Sequence, residues 1–269
     1  MATDVQQEEL DFPAGSEPEP AADNKPKAER KGKSKAKGAA KTSNAAFETR
    51  ELRDAWGRFS RSKPIPGYDK SVGSVKWGVY AFYDYDDEPI YVGQTRESLS
   101  QRISRHLTNQ RSDAVAMNVL DPFEVRKVVV YPLLQYQDVT AKHPRFEEAK
   151  AALNSLEYTV YKRAIQDSEF GAILNEKRPP EAPLMDPLPA RYEGIIVTED
   201  VLKLRGHRDT RIARRALTIA RLAQVIAERE VKGGLRRSLV TQANRLFALA
   251  RQRADELHAE TEIRTDDSD

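Results

Sequence analysis

Residues 77–93 read Trp77-Gly-Val-Tyr-Ala-Phe-Tyr-Asp-Tyr85, then Asp86-Asp-Glu-Pro89, then Ile90-Tyr-Val-Gly93. Two runs rich in aromatic and β-branched residues flank a short acidic turn, which predicts a β-hairpin. Ser98 can cap a helix that follows, on which Leu99, Ile103 and Leu107 recur at helical spacing. A third strand is predicted over residues 125–133, ended by Pro132 and its neighbours, and a long helix from Phe146 to Gln166. Gly171 and the Pro179-Pro180 pair punctuate what comes after. The order strand, strand, helix, strand, helix predicts an α+β domain with a small, mostly antiparallel three-stranded sheet flanked by helices.

Charge is sharply segregated on either side of this region. The chain has 269 residues and a formal net charge of +2. Residues 1–23 nevertheless hold seven acids and no Lys or Arg, while residues 25–41 hold eight Lys or Arg against one acid, Glu29. Neither stretch has apolar periodicity that could offset the entropy of ordering, so residues 1–46 are expected to be a disordered tail, acidic and then Lys-rich. The Lys cluster reads either as a solubilising linker or as a non-specific phosphate-binding arm. Residues 47–74, with Phe47, Leu52, Trp56 and Phe59, suggest a short helix and an irregular lead-in. The main α+β domain is expected over 75–180 and a Pro-rich linker over 181–194.

Beyond the linker, residues 195–262 are expected to form a basic helical hairpin arm, and 263–269 an acidic tail. Ile212, Ala216, Ile219, Ala223 and Ile226 lie on one face, Gly233-Gly234 interrupts, and Leu235, Leu239, Leu246, Ala250 and Leu257 resume the pattern. Residues 202–253 carry fourteen Lys or Arg against Asp209, Glu228 and Glu230, the electrostatic footprint of a polyanion partner. Arg211, Arg214, Arg221, Arg236 and Arg237 lie mostly off the stripe and are candidate nucleic-acid contacts. The competing use of these helices is a homodimer interface.

Composition also excludes. Without Cys there are no disulfides, thiolate zinc sites, iron–sulfur clusters or cysteine nucleophiles. No apolar run is long enough to cross a bilayer, and the N-terminus lacks the basic flank and apolar core of a signal peptide. A cytoplasmic, non-membrane protein is therefore expected, nucleoid-associated if bacterial. No Gly-rich phosphate loop suggests a nucleotide cofactor.

The wheel of the helix from Phe146 to Gln166 isolates one residue. Phe146, Ala149, Leu153, Val160 and Ala164 form an apolar face, and Glu157 projects from its middle, about 20° from Phe146 at about 100° per residue. An inward carboxylate is costly unless paired or metal-bound, so Glu157 reads as a structural salt bridge, a metal ligand or a general acid/base. Arg102 and His106, four apart on the preceding helix, border its apolar stripe. Tyr80 and Tyr91 sit on the two hairpin strands among apolar neighbours.

These residues, taken in order, resemble the GIY-YIG nucleases. Gly78-Val-Tyr80 and Tyr91-Val-Gly93 match the two signature triplets, with Val in each central position. Gln94-Thr95, the Arg102/His106 pair, Glu157 in a helix and Asn175 in Ile173-Leu-Asn175 then follow as in the family. The resemblance covers roughly residues 75–180, and where several relatives have Lys this chain has Gln94. It implies a DNA endonuclease that hydrolyses a phosphodiester with one divalent cation, Mg²⁺ or another such as Mn²⁺, serving restriction, defence or mobile-element movement. It implies that Glu157 binds the metal, Arg102 the phosphate, and Tyr80 acts as base. Tyr91 would position water or phosphate, His106 orient a tyrosine or relay its proton, and Asn175 hold the phosphate or the Glu157 neighbourhood. The alternative is a nucleic-acid-binding protein that uses the same fold without activity.

Overall fold

The computed structural model describes residues 47–107, 119–229 and 233–266, with side chains through 259. The expected disordered tail over 1–46 lies outside these residues, as do the last three positions of the acidic tail. The element order is α1 (Phe47–Arg61), β1 (Gly78–Tyr83), β2 (Pro89–Thr95), α2 (Leu99–Leu107), β3 (Lys127–Pro132), α3 (Phe146–Asp167), β4 (Tyr192–Ile195), α4 (Glu199–Arg205), α5 (Arg208–Glu228) and α6 (Gly233–Asp266). The architecture is α+β, and its sheet is antiparallel in the order β2-β1-β3-β4.

The sheet has four strands where the sequence pattern predicted three. The extra one, β4, pairs Lys127 with Ile195 and Val130 with Tyr192, inside and just beyond the stretch expected to be a linker. Four residues that alternate half-buried and exposed after a proline-rich run carry almost no strand signal. Pairing with β3 makes them a strand, and the absence of a side chain at Gly194 lets the Phe59 ring of α1 lie directly on it.

Strand alternation sorts the core into two layers. Tyr80, Phe82, Val128 and Val130 face α1 and α2, where Leu52, Trp56, Leu99 and Ile103 are buried. Val79, Ala81, Val129 and Tyr131 face α3, against Ala149, Leu153, Leu156 and Val160. Ser98 caps α2 as expected, its hydroxyl accepting the Gln101 N–H at 3.3 Å.

Helices α5 and α6 run antiparallel, since Arg208 pairs with Glu256 while Arg215 donates to the Arg245 carbonyl. Their buried face differs from the predicted stripe. In α5 it is Arg211, Arg215, Thr218, Leu222 and Ile226, with Ala216 exposed. The reason is the acidic turn between β1 and β2. Asp84 is 1 % exposed and accepts from Arg215 at 2.9 Å and Arg245 at 2.6 Å, while Glu124 accepts from Arg215 at 2.8 Å. Apolar periodicity counts only apolar residues, so it misses a face on which arginines are buried because carboxylates meet them.

Candidate active site

The site straddles the outer edge of the sheet. An edge strand presents unpaired backbone groups, and residues 174–175 cover those of β2. Leu174 donates its N–H to Ile90, and Asn175 brackets Val92, accepting its N–H at 3.0 Å and donating to its carbonyl at 2.7 Å. Asn175 thus braces the strand between Tyr91 and Gly93.

The two signature glycines are sterically required. A Cβ at Gly93 would lie 2.7 Å from the Tyr80 hydroxyl, its cross-strand partner, and a Cβ at Gly78 would lie 2.9 Å from the Tyr131 carbonyl oxygen. The space above Gly93 holds the phenol of Tyr80. That hydroxyl is 2.8 Å from His106 Nε2 and receives a hydrogen bond from Arg102 Nε at 3.3 Å. The phenol oxygen thus takes part in hydrogen bonds to both the guanidinium and the imidazole. The Tyr91 ring closes the group, with centroids 6.2 Å from Tyr80 and 5.2 Å from His106.

Exposure divides these residues. Tyr80 is 0 % exposed and His106 is buried, whereas Tyr91, Arg102, Asn175 and Glu157 are half-buried. The Tyr80 side chain, expected to act as base, is thus enclosed, while Tyr91 and Arg102 are partly open to solvent.

Glu157 comes from the opposite layer and leans over the same edge. It stands at the margin of the buried face of α3, not in its middle, because that face centres on Ala149, Leu153, Leu156 and Val160. Burial pushes its carboxyl up to about 7, although the Gln94 backbone, the Arg102 guanidinium and the Gln94 side chain pull the other way. Burial likewise works against Arg102, but Tyr80, Tyr91 and Glu157 outweigh it and hold the guanidinium above its usual range. Arg102 is thus the residue that joins the two layers electrostatically. Beside it opens a cleft of about 700 Å³, lined by Lys76, Gln94, Arg96, Arg102, Lys150 and Asn154 among others.

A divalent cation fits this donor set. Glu157 offers hard oxygen, half-open to solvent, whose ionisation the protein compensates only in part. No group of three or more His, Asp or Glu among the described residues forms a cage. A cation on one carboxylate keeps most of its water, which is the habit of Mg²⁺.

The predicted arginines fall into two sets. Arg211 is 3 % exposed and pairs with Asp86, which takes its guanidinium out of reach of an outside partner, whereas the half-buried Arg214 holds Asp121 through two hydrogen bonds of 2.8 Å. Arg221, Arg236 and Arg237 are exposed. Sequence reasoning did not single out Lys76, Arg96, Lys150 or Asn154. The positions Lys150, Asn154 and Glu157 do share one helical face, a spacing legible without coordinates.

Residues 76–138 match the family model of the GIY-YIG catalytic domain. No curated protein and no solved structure matches the chain. The matched segment holds Tyr80, Tyr91, Arg102 and His106; Glu157 and Asn175 lie beyond it and meet it only in the fold. Among the described residues, no helix is long and apolar enough to cross a membrane.

Proposed function

From a chain whose residues 76–138 match the model of the GIY-YIG catalytic domain, we propose a metal-dependent endonuclease that hydrolyses phosphodiester bonds in DNA at a single-cation site. One observation carries the reading: Arg102 sits between the Tyr80 hydroxyl and the Glu157 carboxylate at an edge open to solvent. Cleaving a phosphodiester needs charge neutralised on the non-bridging oxygens, a positioned water and support for the leaving oxygen. A cation on Glu157, Mg²⁺ or Mn²⁺, would supply positive charge at the phosphate and at the departing 3′ oxygen.

The chain's own residues do the rest. Arg102 donates to the phosphate oxygens, its orientation fixed from below by Tyr80. Tyr80 is a positioning residue, its hydroxyl hydrogen-bonded to both Arg102 and His106. Tyr91 is the phenol that water reaches, and it orients the attacking water. Asn175 keeps Tyr91 in register through Val92. Cutting both strands takes two such sites. The exposed Leu217, Val240 and Phe247 on α5 and α6 support pairing of two copies through these helices. A role in restriction, defence or mobile-element movement agrees with such a cut.

Plasmid nicking tests the reading. The intact chain should nick supercoiled DNA in Mg²⁺ and stop in EDTA, and Glu157→Ala should lower the rate by about 10³-fold or more while DNA binding persists. Nicking that continues in EDTA, or in Glu157→Ala, overturns the proposal.

A further inference from the structure

A second pattern runs along α3. Lys150, Asn154, Glu157 and Tyr161 are spaced by four, three and four residues, so they form one row on the helix surface. At about 1.5 Å per residue the row is roughly 16 Å long, the rise of about five base pairs at about 3.4 Å each. Glu157 stands inside it, with positive charge at both ends.

At the first end is the cleft beside Arg102. Lys76 and Arg96 on its wall are exposed and enter no ion pair among the described residues. Lys150 is exposed, with only a 3.4 Å contact to the exposed Glu147. The one acid lining the cleft, Glu97, is neutralised by Arg105. At the other end, where Tyr161 is buried, the positive charges of the exposed Arg178 and Arg237 both bear on its phenol. Arg237 reaches this place because Gly234, at the start of α6, lies directly against the backbone of Glu176. The arginines of α5 that might have competed as contacts, Arg211, Arg214 and Arg215, are held by carboxylates.

We propose that the strand to be cut lies along this row of α3, with the scissile phosphate over Glu157, the backbone on one side held by Lys76, Arg96 and Lys150, and on the other by Arg178 and Arg237. The inference rests on the nuclease reading and adds the path and direction of the substrate. Cations at separated intervals on both sides of one carboxylate suit a polyanion threaded past it. A compact anion would need them converged on one point. Asn154, between the lysine and the carboxylate, offers an uncharged hydrogen-bonding group to the same strand.

Binding of a random-sequence DNA duplex to the full-length chain carrying Glu157→Gln, followed by fluorescence anisotropy at several salt concentrations, tests the path. Lys76→Ala with Lys150→Ala, and separately Arg178→Ala with Arg237→Ala, should each weaken binding by roughly tenfold and flatten the slope of log K against log salt by nearly 2, about 0.9 per lost phosphate contact. Lys63→Ala, an exposed lysine after α1, in the layer on the other side of the sheet from α3, should change neither. All these positions are at the surface, and circular dichroism confirms the fold. If both double variants bind like their parent, or if Lys63→Ala weakens binding as much, the path is wrong. Nicking by the wild-type chain is scored separately: nicking with unaltered binding in the double variants sinks the path alone, and weakened binding without nicking sinks the nuclease reading alone.

Discussion

Glu157 and Gly93 show what single residues contribute. Glu157 is a carboxyl raised to about 7 chiefly by burial, which sets two opposite pH dependences. Without cation, the folded state favours the protonated form, so stability is greatest below the unfolded value near 4.5 and falls as pH rises toward 7. That difference amounts to about 3 kcal/mol at about 1.4 kcal/mol per pH unit. Cation binding needs the ionised form, so its affinity should fall about tenfold per pH unit below about 7 and level off above it. Isothermal titration of Mg²⁺ across pH checks this, and Glu157→Gln should abolish the pH dependence together with the binding. At Gly93, an added methyl would meet the Tyr80 hydroxyl at 2.7 Å and the Tyr91 ring at 3.0 Å. Both rings belong to the packed edge-strand cluster, so Gly93→Ala should cost about 1–3 kcal/mol in a urea melt and displace Tyr80 from Arg102.

Among the elements, β2 carries the site because it is an edge. A central strand would have both backbone faces paired and no room for Asn175 to bracket Val92, and α2 and α3 could not meet around it. The element that makes the edge safe is the short segment 174–175, which satisfies backbone groups that would otherwise invite pairing with another chain. Asn175→Ala should therefore lower the nicking rate through Tyr91 and Arg102, with the cation affinity of Glu157 retained. Equal loss of cation binding and of nicking would instead place Asn175 at the metal.

The whole molecule is tied together by charge. Asp84 at the hairpin turn receives Arg215 and Arg245, which are 3 % and 0 % exposed, and Glu124 receives Arg215. Two further nitrogens of Arg245 have no hydrogen-bond partner among the described residues, and burial holds this guanidinium below its usual range. Removing the acid leaves Arg215 and Arg245, both buried, with Glu124 as their one remaining carboxylate among the described residues, so Asp84→Ala should destabilise the chain by about 3–5 kcal/mol in chemical denaturation. For the same reason, deleting residues 191–269 would remove β4 and the guanidinium partners of Asp84, so point variants are the means of separating DNA contact from assembly.

The hairpin and the helices α2 and α3 were legible in the chain itself, as was the spacing of the six candidate residues. Alternation, helical spacing and two glycine-bearing triplets are local signals, and local signals survive without coordinates. The departures share one cause. The strand β4, the arginine-filled face of α5, the closure of Tyr80 and the marginal place of Glu157 all depend on what lies opposite. A half-exposed strand needs its partner, a buried arginine needs its carboxylate, and a tyrosine is closed to water only by the rings and glycine packed around it. Sequence determined which groups are present and at what spacing. Only the tertiary structure decided which of them meet, because burial and charge pairing are properties of surroundings brought together from distant parts of the chain.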